Sequence, residues 1–261
     1  MARAHLFVVA SAATLVLSGC SETAEPLKEQ PVAEKAESET EAQQQASTEP
    51  ASPLDLPLPE IISTEINDLK LGAKIEGPVG TEVQASLATD LGALGDIESY
   101  VACPDGMDVC DPKTAPAGTI YTYVHTITPG ADEPNDLPFP QPEAVLDVKS
   151  ATKFHIKGPV YGFNGVAGYS FADGRKALGA DMFISVQCKE GSLGYTVELG
   201  DAWSNGETIS FFWQSTIAPK GPGEGFTLYA DGKEGTGSGP VPGKPLSDVE
   251  GAALNNLAQC S

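Results

Sequence analysis

The sequence predicts an all-β domain, an antiparallel β-sandwich with a short C-terminal helix, preceded by a disordered acidic tether. Two observations carry this prediction. The 261 residues include 28 Gly and 21 Pro, and these residue types interrupt regular structure and mark turns. Between them lie about nine short segments rich in β-branched or aromatic residues, which is typical of strands in a sandwich. A closed barrel is the alternative, because sequence periodicity does not show whether the sheet edges pair.

The predicted strands are bounded by Gly, Pro, Asp or Asn. They are residues 97–102, 118–128, 144–148, 152–157, 166–171, 182–188, 194–199, 207–217 and 226–230. Side chains alternate between the two faces of a strand. In the fourth segment, Phe154 and Ile156 should therefore face the core, while Lys153, His155 and Lys157 should face solvent. The Gly-rich residues 235–240 do not match the phosphate-binding pattern G-x-G-x-x-G, and they run into Pro240 and Pro242, which cannot open the helix that such a loop needs. They are interpreted as a flexible loop.

Two helices are predicted outside these strands. Apolar residues recur at spacings of four, four and three in Val83, Leu87, Leu91 and Leu94, which indicates a short amphipathic helix. Residues 247–250, Ser-Asp-Val-Glu, match a capping box, in which the Ser and Glu side chains accept hydrogen bonds from unpaired N–H groups at a helix start. The C-terminal helix should place Cys260 on the face that packs against the sheet.

The first twenty residues are typical of an export signal. Arg3 and His5 precede an uncharged run of twelve residues, 6–17, which is shorter than the ~20 residues that a membrane-spanning helix needs. The run ends in Leu-Ser-Gly-Cys at residues 17–20, which resembles the lipobox of bacterial lipoproteins. This resemblance covers the signal alone. It implies cleavage before Cys20, a diacylglyceryl thioether on its sulfur and a fatty acyl group such as palmitate on its new amine.

A lipidated Cys20 would anchor the chain to a membrane without a transmembrane helix, because two or more acyl chains give stable anchoring. The next residue is Ser21, not Asp, and in the lipoprotein sorting pattern this favours the outer membrane. The resemblance therefore implies a signal peptide at residues 1–19 and a bacterial cell-envelope protein held by lipid at the outer membrane.

Residues 20–55 form the predicted tether. They contain nine acidic and two basic residues and no aromatic residue. Such a segment buries too little apolar surface to offset the entropy cost of ordering, so we expect disorder. A helical stalk is the alternative, although Pro26, Pro31, Pro50 and Pro53 interrupt it.

The formal net charge of the chain is −21, and the acidic excess extends into the β domain. Residues 56–261 contain 27 acidic and 12 basic residues, a net charge of −15. Nucleic-acid binding requires clustered Lys and Arg to neutralise phosphates. The composition therefore excludes nucleic acid as a partner.

The remaining four cysteines predict disulfide bonds, since an even number in an exported chain is typical of an oxidising compartment. Four cysteines allow three pairings. Closeness in sequence favours Cys103 with Cys110, which leaves Cys188 for Cys260. A metal site is the alternative, but no C-x-x-C motif and no paired His accompany these residues.

The candidate catalytic residues form no recognisable constellation, and the prediction names none as catalytic. His125 and His155 are the histidines of the processed chain, and His125 shares a strand face with two tyrosines, which favours a packing role over that of a base. Ser170 lies in a sequence one residue short of a G-x-S-x-G nucleophile elbow. The elbow needs a following helix and a later His, whereas Gly174 follows closely and both His precede Ser170.

Two acidic loops are candidate calcium sites, because calcium takes six to eight oxygen ligands from carboxylates and carbonyls. The carboxylates are Asp105, Asp108, Asp111, Asp132 and Asp136. Neither loop has EF-hand spacing, and ordinary turn formation by Asp and Asn is the favoured interpretation. No cofactor other than this possible calcium is expected.

Trp203, in a Gly-bounded turn, is the candidate for stacking on a ligand, although packing over the turn is the favoured interpretation. The sequence thus predicts a lipid-anchored envelope protein with a binding or structural role, and an envelope protein or a glycan as its partner. The alternatives are a calcium-dependent glycan-binding module and a carbohydrate-active enzyme with carboxylates such as Glu198, Asp201 or Glu207.

Overall fold

The computed structural model describes residues 61–77 and 82–244. The predicted signal peptide, the tether and the C-terminal helix lie outside these ranges. The strands are β1 (Ile62–Glu65), β2 (Leu71–Lys74), β3 (Glu82–Thr89), β4 (Gly92–Pro104), β5 (Tyr121–Pro129), β6 (Ala151–Ile156), β7 (Phe163–Tyr169), β8 (Phe183–Lys189), β9 (Ser192–Leu199), β10 (Ile209–Ser215), β11 (Pro219–Ala230) and β12 (Lys233–Pro242). A short 3-10 helix spans Ile66–Leu69, and α1 spans Phe171–Leu178.

All twelve strands belong to one continuous sheet with the order β1-β7-β10-β5-β4-β3-β12-β11-β6-β9-β8, and β2 pairs with β4 beside this path. The sheet curls into a nearly closed, barrel-like shape. It is mixed, because β1 runs parallel to β7, whereas the other pairings are antiparallel. The β-rich prediction is confirmed, but the two separate antiparallel sheets of a sandwich are not seen.

The core lies inside the curled sheet and is dominated by aromatic rings. Phe154 of β6 lies 5.3 Å from the ring of Phe211 on β10 and 5.9 Å from that of Tyr195 on β9, measured between ring centroids. Tyr123 stacks on Trp213 at 4.4 Å. Because Phe154 and Phe211 come from strands far apart in the sheet order, the burial of this pair holds the curl closed.

The alternation predicted for β6 is confirmed for the core residues. Phe154 and Ile156 are buried, Lys157 is exposed, and Lys153 and His155 are half-buried. His155 Nδ1 has no hydrogen-bond partner among the described residues.

The helix predicted around Val83–Leu94 is wrong, because this segment is the β3–β4 hairpin. Val83, Ala85 and Leu87 are buried at alternate positions, whereas Leu91 is 63% exposed. A spacing of four residues suits a strand face as well as a helix face, since four is a multiple of two. Gly92, at φ 137°, then carries the chain from the turn into β4.

Six of the nine predicted segments contain all or most of an observed strand, and two more, 97–102 and 226–230, lie within the longer strands β4 and β11. The exception is residues 144–148, which contribute only an isolated bridge between Val145 and Ala93. The segment predicted at 166–171 ends early, because α1 begins at Phe171. Within the described residues, no helix is both long and apolar enough to cross a membrane.

The flexible loop predicted at residues 235–240 is also wrong, because these residues belong to β12. Gly235, Gly237 and Gly239 alternate along the strand and face the core. A Cβ atom on Gly235 would lie 2.7 Å from the carbonyl oxygen of Leu87, and one on Gly237 would lie closer still to that of Ser86. Glycine is therefore required by the close approach of β12 to β3.

The disulfide between Cys103 and Cys110 is confirmed, with a Cα–Cα distance of 5.6 Å. It joins the end of β4 to the loop that follows. The second predicted bridge involves Cys260, which lies outside the described residues, so that pairing stays a prediction.

Replacing both Cys103 and Cys110 with Ala should lower the free energy of unfolding by about 2 kcal/mol, because the bridge restricts a short loop of the unfolded chain. Urea unfolding of the full chain without reductant measures the change. The single Cys110→Ala variant is the matched control and should lose nearly as much, since either substitution removes the bridge. An unchanged urea midpoint in the double variant would contradict this expectation.

A candidate ligand-binding groove

A groove of ≈ 500 Å³ lies on the outside of the sheet. Its floor consists of small residues of β3, β11 and β12: Ala85, Ser86, Ala88, Thr227, Thr236 and Ser238. Its wall is formed by residues 139–142, Phe-Pro-Gln-Pro, from the long loop between β5 and β6. The volume falls within the range of about 300–1,000 Å³ that is typical of small-molecule sites.

The groove exists because β3 and β12 pair at only one position, Thr236 with Ala88. Nearer the start of β3, a loop residue replaces the neighbouring strand. The N–H of Gln84 donates to Asp136 Oδ2 at 2.9 Å, and the Gln84 carbonyl accepts from the N–H of Asp136 at 3.0 Å. The wall loop is thereby held along the edge of β3 by one backbone bond and one bond to a side-chain carboxylate.

Polar side chains fix the rest of the wall. The N–H of Glu133 donates to both carboxylate oxygens of Asp96 on β4, at 2.8 and 3.0 Å. Asn135 Nδ2 donates to the Pro140 carbonyl at 2.7 Å, and its backbone N–H donates to Gln141 Oε1 at 2.8 Å. The wall is therefore preorganised, which reduces the entropy cost of binding.

Ser86 connects the groove floor to this network. Its hydroxyl donates to Asp132 Oδ1 at 2.7 Å and accepts from Asn135 Nδ2 at 2.7 Å. Asp132 and Asp136 are thus hydrogen-bonded parts of the groove wall, a role that sequence reasoning missed. The signal that it passed over was the run of Pro, Asn and Asp between two strands, which is typical of an ordered loop held by side-chain bonds.

The Asp96 carboxyl beneath the wall loop has a pKa raised to about 6. Burial is the main cause, and the nearby charges of Asp132 and Glu133 add to it, while the hydrogen bond from the Glu133 N–H acts in the opposite direction. The anchor of the groove wall is therefore a carboxylate that takes up a proton as the solution becomes mildly acidic.

His125 is buried in the core and is not placed to act as a base. The Trp213 indole N–H, which can only donate, lies 3.2 Å from His125 Nε2. The ring proton therefore sits on Nδ1 and is donated to Ser99 Oγ at 2.9 Å. Because burial lowers the His125 pKa to about 3, the ring stays neutral, and its tautomer cannot take a proton from Ser99. The predicted packing role is confirmed.

Ser170 follows β7 and precedes α1, so the helix that the elbow motif requires is present, contrary to the sequence-based expectation. Its hydroxyl accepts from the Asp173 N–H at 3.1 Å and caps the helix. A second cap comes from Glu65 Oε2, which accepts from the Phe171 N–H at 2.5 Å. Ser170 is 5% exposed, so it serves as a structural cap.

Trp203 is not available for stacking on a ligand, because its side chain is 1% exposed and packs on Phe211. Its indole N–H donates to the Glu207 carbonyl at 2.6 Å. The Glu207 carboxylate accepts from the N–H and the hydroxyl of Ser204, and Glu198 accepts from Ser185 Oγ at 2.7 Å. The Glu207 carboxylate therefore stabilises a local turn, and the Glu198 carboxylate links β9 to β8.

The acidic loop after β4 uses its carboxylates in turns. Asp105 Oδ1 accepts from the Gly106 N–H, and Asp111 Oδ1 accepts from the Lys113 N–H, each at 2.9 Å. Asp108 lies in the same loop, whereas Asp132 and Asp136 lie in the groove wall. Within residues 61–77 and 82–244, no three His, Cys, Asp or Glu residues converge to hold a metal ion.

Comparison with known proteins adds no family assignment: no protein-family model matches the chain, and no curated protein or solved structure matches it.

Acid should stabilise the Asp96→Asn variant less than it stabilises the parent chain. A folded-state pKa of about 6, against 3.8 in the unfolded chain, contributes stability that is present below pH 3.8 and lost as the pH rises through 6. His125 and His155, whose pKa values fall to about 3 and about 4, act in the opposite direction and cancel when variant and parent are compared.

We subtract the free energy of unfolding of the parent from that of Asp96→Asn. This difference should be about 1–2 kcal/mol larger at pH 7.5 than at pH 4.5, so the variant is relatively more stable at the higher pH. Urea unfolding at the two pH values measures it. Asp90→Asn, which removes a carboxylate from the exposed β3–β4 turn, controls for net charge. A difference between variant and parent that does not depend on pH would contradict the role of Asp96.

Proposed function

We propose that the protein is a lipid-anchored protein of the bacterial cell envelope, held at the outer membrane through Cys20, whose β domain binds a ligand in the groove between the wall loop and strands β3, β11 and β12. The observation that carries the binding role is the groove itself, which has a preorganised wall and a floor of small residues. Bonds at Gln84, Ser86 and Asp96 hold the wall loop beside an open groove, and this arrangement suits ligand binding better than a purely structural role.

The anchoring half of the proposal rests on the Leu-Ser-Gly-Cys sequence at residues 17–20 and on the apolar run before it. The acidic residues 20–55 then serve as a spacer, whose mutual repulsion extends the domain away from the membrane. The net charge of −15 on residues 56–261 opposes close approach of the domain to anionic lipid.

Labelling of the full chain with radioactive palmitate, followed by membrane fractionation, tests the anchor. The parent chain should take up label and sediment with membranes, and Cys20→Ser should do neither. Ser18→Ala, which keeps a small residue before the cysteine, is the matched control and should remain labelled. Persistent labelling and membrane association of Cys20→Ser would refute the anchor.

A carbohydrate-active enzyme is the second candidate, but no specific contact favours it. Glu207 and Glu198 are hydrogen-bonded to Ser204 and Ser185, and the side chain of Trp203 is buried. Among the described residues that line the groove, Glu224 is the one carboxylate, whereas glycoside hydrolysis uses a pair.

Filling the groove tests the binding role. Ser238→Tyr should abolish ligand capture from an envelope extract by the full chain, whereas Ser63→Tyr, on the exposed face of β1, should leave capture unchanged. Each capture is repeated with and without millimolar calcium, which also tests the candidate sites at Asp105, Asp108, Asp111, Asp132 and Asp136. Equal capture by both variants would refute a binding role for the groove.

A further inference from the structure

We infer that the ligand of the groove is an uncharged glycan chain, a step that rests on the binding function proposed above. Three features of the groove carry the inference: its charge, the polar groups that lie open on its floor, and the scarcity of backbone groups for a peptide.

The lining of the groove carries few charges within a strongly acidic domain. Lys157 and Glu224 are its charged lining residues among those described, and Lys157 is ion-paired with Glu234. The carboxylates of Asp132 and Asp136 stand behind this lining, where both are hydrogen-bonded to β3. The remaining lining residues are hydroxyl, amide, apolar or glycine residues. An anionic ligand would meet the Glu224 carboxylate and the net negative charge of the domain, so the site favours an uncharged ligand.

Polar side chains on the groove floor are free to bind. Thr236 and Ser238 are two residues apart on β12, so their side chains point from the same face, about 7 Å apart along the strand. Ser238 lies opposite Glu224 in the β11–β12 register. Within the described part of the chain, these three side chains make no hydrogen bond to protein. Two hydroxyls and a carboxylate form a row that can accept from, and donate to, successive sugar hydroxyls.

A peptide would find fewer partners here. Strand β11 is paired with a neighbour on each side. Strands β3 and β12 pair with each other at one position only, but the N–H and the carbonyl of Gln84 are already bonded to Asp136, which leaves a short edge for an added strand. In the wall, Pro140 and Pro142 have no N–H to donate. The polar contacts on offer therefore come from side chains, as suits a ligand that is recognised through its hydroxyls.

The wall supplies the apolar part of such a site. Phe139 is partly exposed and packs against the core with its other side. Its ring and the two prolines give a fixed apolar surface beside the row of polar groups. Apolar walls with a few placed polar groups are the usual composition of small-molecule sites, and the alternating C–H and O–H groups of a sugar ring match this composition.

Isothermal titration calorimetry of the full chain in detergent tests the inference, with cellohexaose, maltohexaose, chitohexaose and mannohexaose as neutral probes and a hexamer of galacturonate as the anionic probe. At least one neutral probe should bind, and the galacturonate hexamer should not. The double variant Thr236→Val, Ser238→Ala should bind that neutral probe at least tenfold more weakly, and Glu224→Gln about fivefold more weakly. Ser63→Ala is the matched control, and equal thermal midpoints verify folding.

Two results would overturn the glycan inference and leave the proposed binding function standing. In one, no neutral probe binds, yet Ser238→Tyr still abolishes capture of a protein from envelope extract. In the other, the galacturonate hexamer binds as well as the neutral probes. If the double variant binds the neutral probe as tightly as the parent, the groove is not the glycan site. If Ser238→Tyr captures every species that the parent captures, the proposed function itself is refuted.

Discussion

Replacing Phe154 with Ala should lower the free energy of unfolding by about 3–5 kcal/mol. Phe154 is fully buried and lies at the centre of the aromatic core. Its ring centroid is within 6.5 Å of those of His125, Tyr195, Phe211 and Phe226. The cost combines the lost transfer of the ring from water with the cavity that rigid neighbouring rings cannot fill.

Equilibrium urea unfolding, monitored by tryptophan fluorescence, measures this loss. Phe183→Ala is the matched control, because Phe183 is 52% exposed on β8, and we expect it to cost less than about 1 kcal/mol. A loss below about 1.5 kcal/mol for Phe154→Ala would show that the strands collapse around the cavity and that the aromatic cluster does not hold the sheet closed.

Gly237→Ala should be the second large effect, at about 2–3 kcal/mol of lost stability. The added methyl group would meet the backbone carbonyl oxygen of Ser86 and a Leu87 methyl group. A backbone group cannot rotate away as a side chain can, so β12 must shift from β3. Since Ser86 also holds the wall loop, the groove should widen as well.

The neighbouring substitution Ser238→Ala is the control for Gly237→Ala, because its side chain points to the opposite face of β12 and it should change stability by less than about 0.5 kcal/mol. Thermal and urea unfolding of both variants provide the measurement. Equal stability of Gly237→Ala and the parent would contradict the close packing of β12 on β3.

Local sequence patterns were sufficient for most strands and for the nearer disulfide. Alternation in β6 and the aromatic, β-branched run of β5 depend on neighbours within a few residues. Cys103 and Cys110 are close in sequence, so polymer closeness predicted their bridge. The patterns failed where the same spacing of residues fits two kinds of secondary structure. The leucines of residues 83–94 suit a helix or a strand face, and the alternating glycines of β12 resemble a loop until the packing of β3 is known.

The site was less predictable than the fold. His125 is buried in the core, as the sequence predicted, whereas the helix that Ser170 caps was missed, because Gly174 was weighed against a helix that packing on Met182 supports. Trp203 was named as a possible ligand contact from its turn, but burial depends on Phe211, eight residues away on another element. The groove combines residues near 86, 140, 157, 224 and 237, and no local pattern connects them.

The sequence by itself determined that the described domain is rich in short strands, that Gly and Pro bound them, and that Cys103 pairs with Cys110, because these properties depend on local conformational preference and short loops. It also determined the net negative charge of the chain. Only the tertiary structure decided that the strands curl into one nearly closed mixed sheet instead of two stacked sheets. That choice depends on long-range pairings such as β5 with β10 and β1 with β7, whose free energy comes from burying side chains that are far apart in the chain.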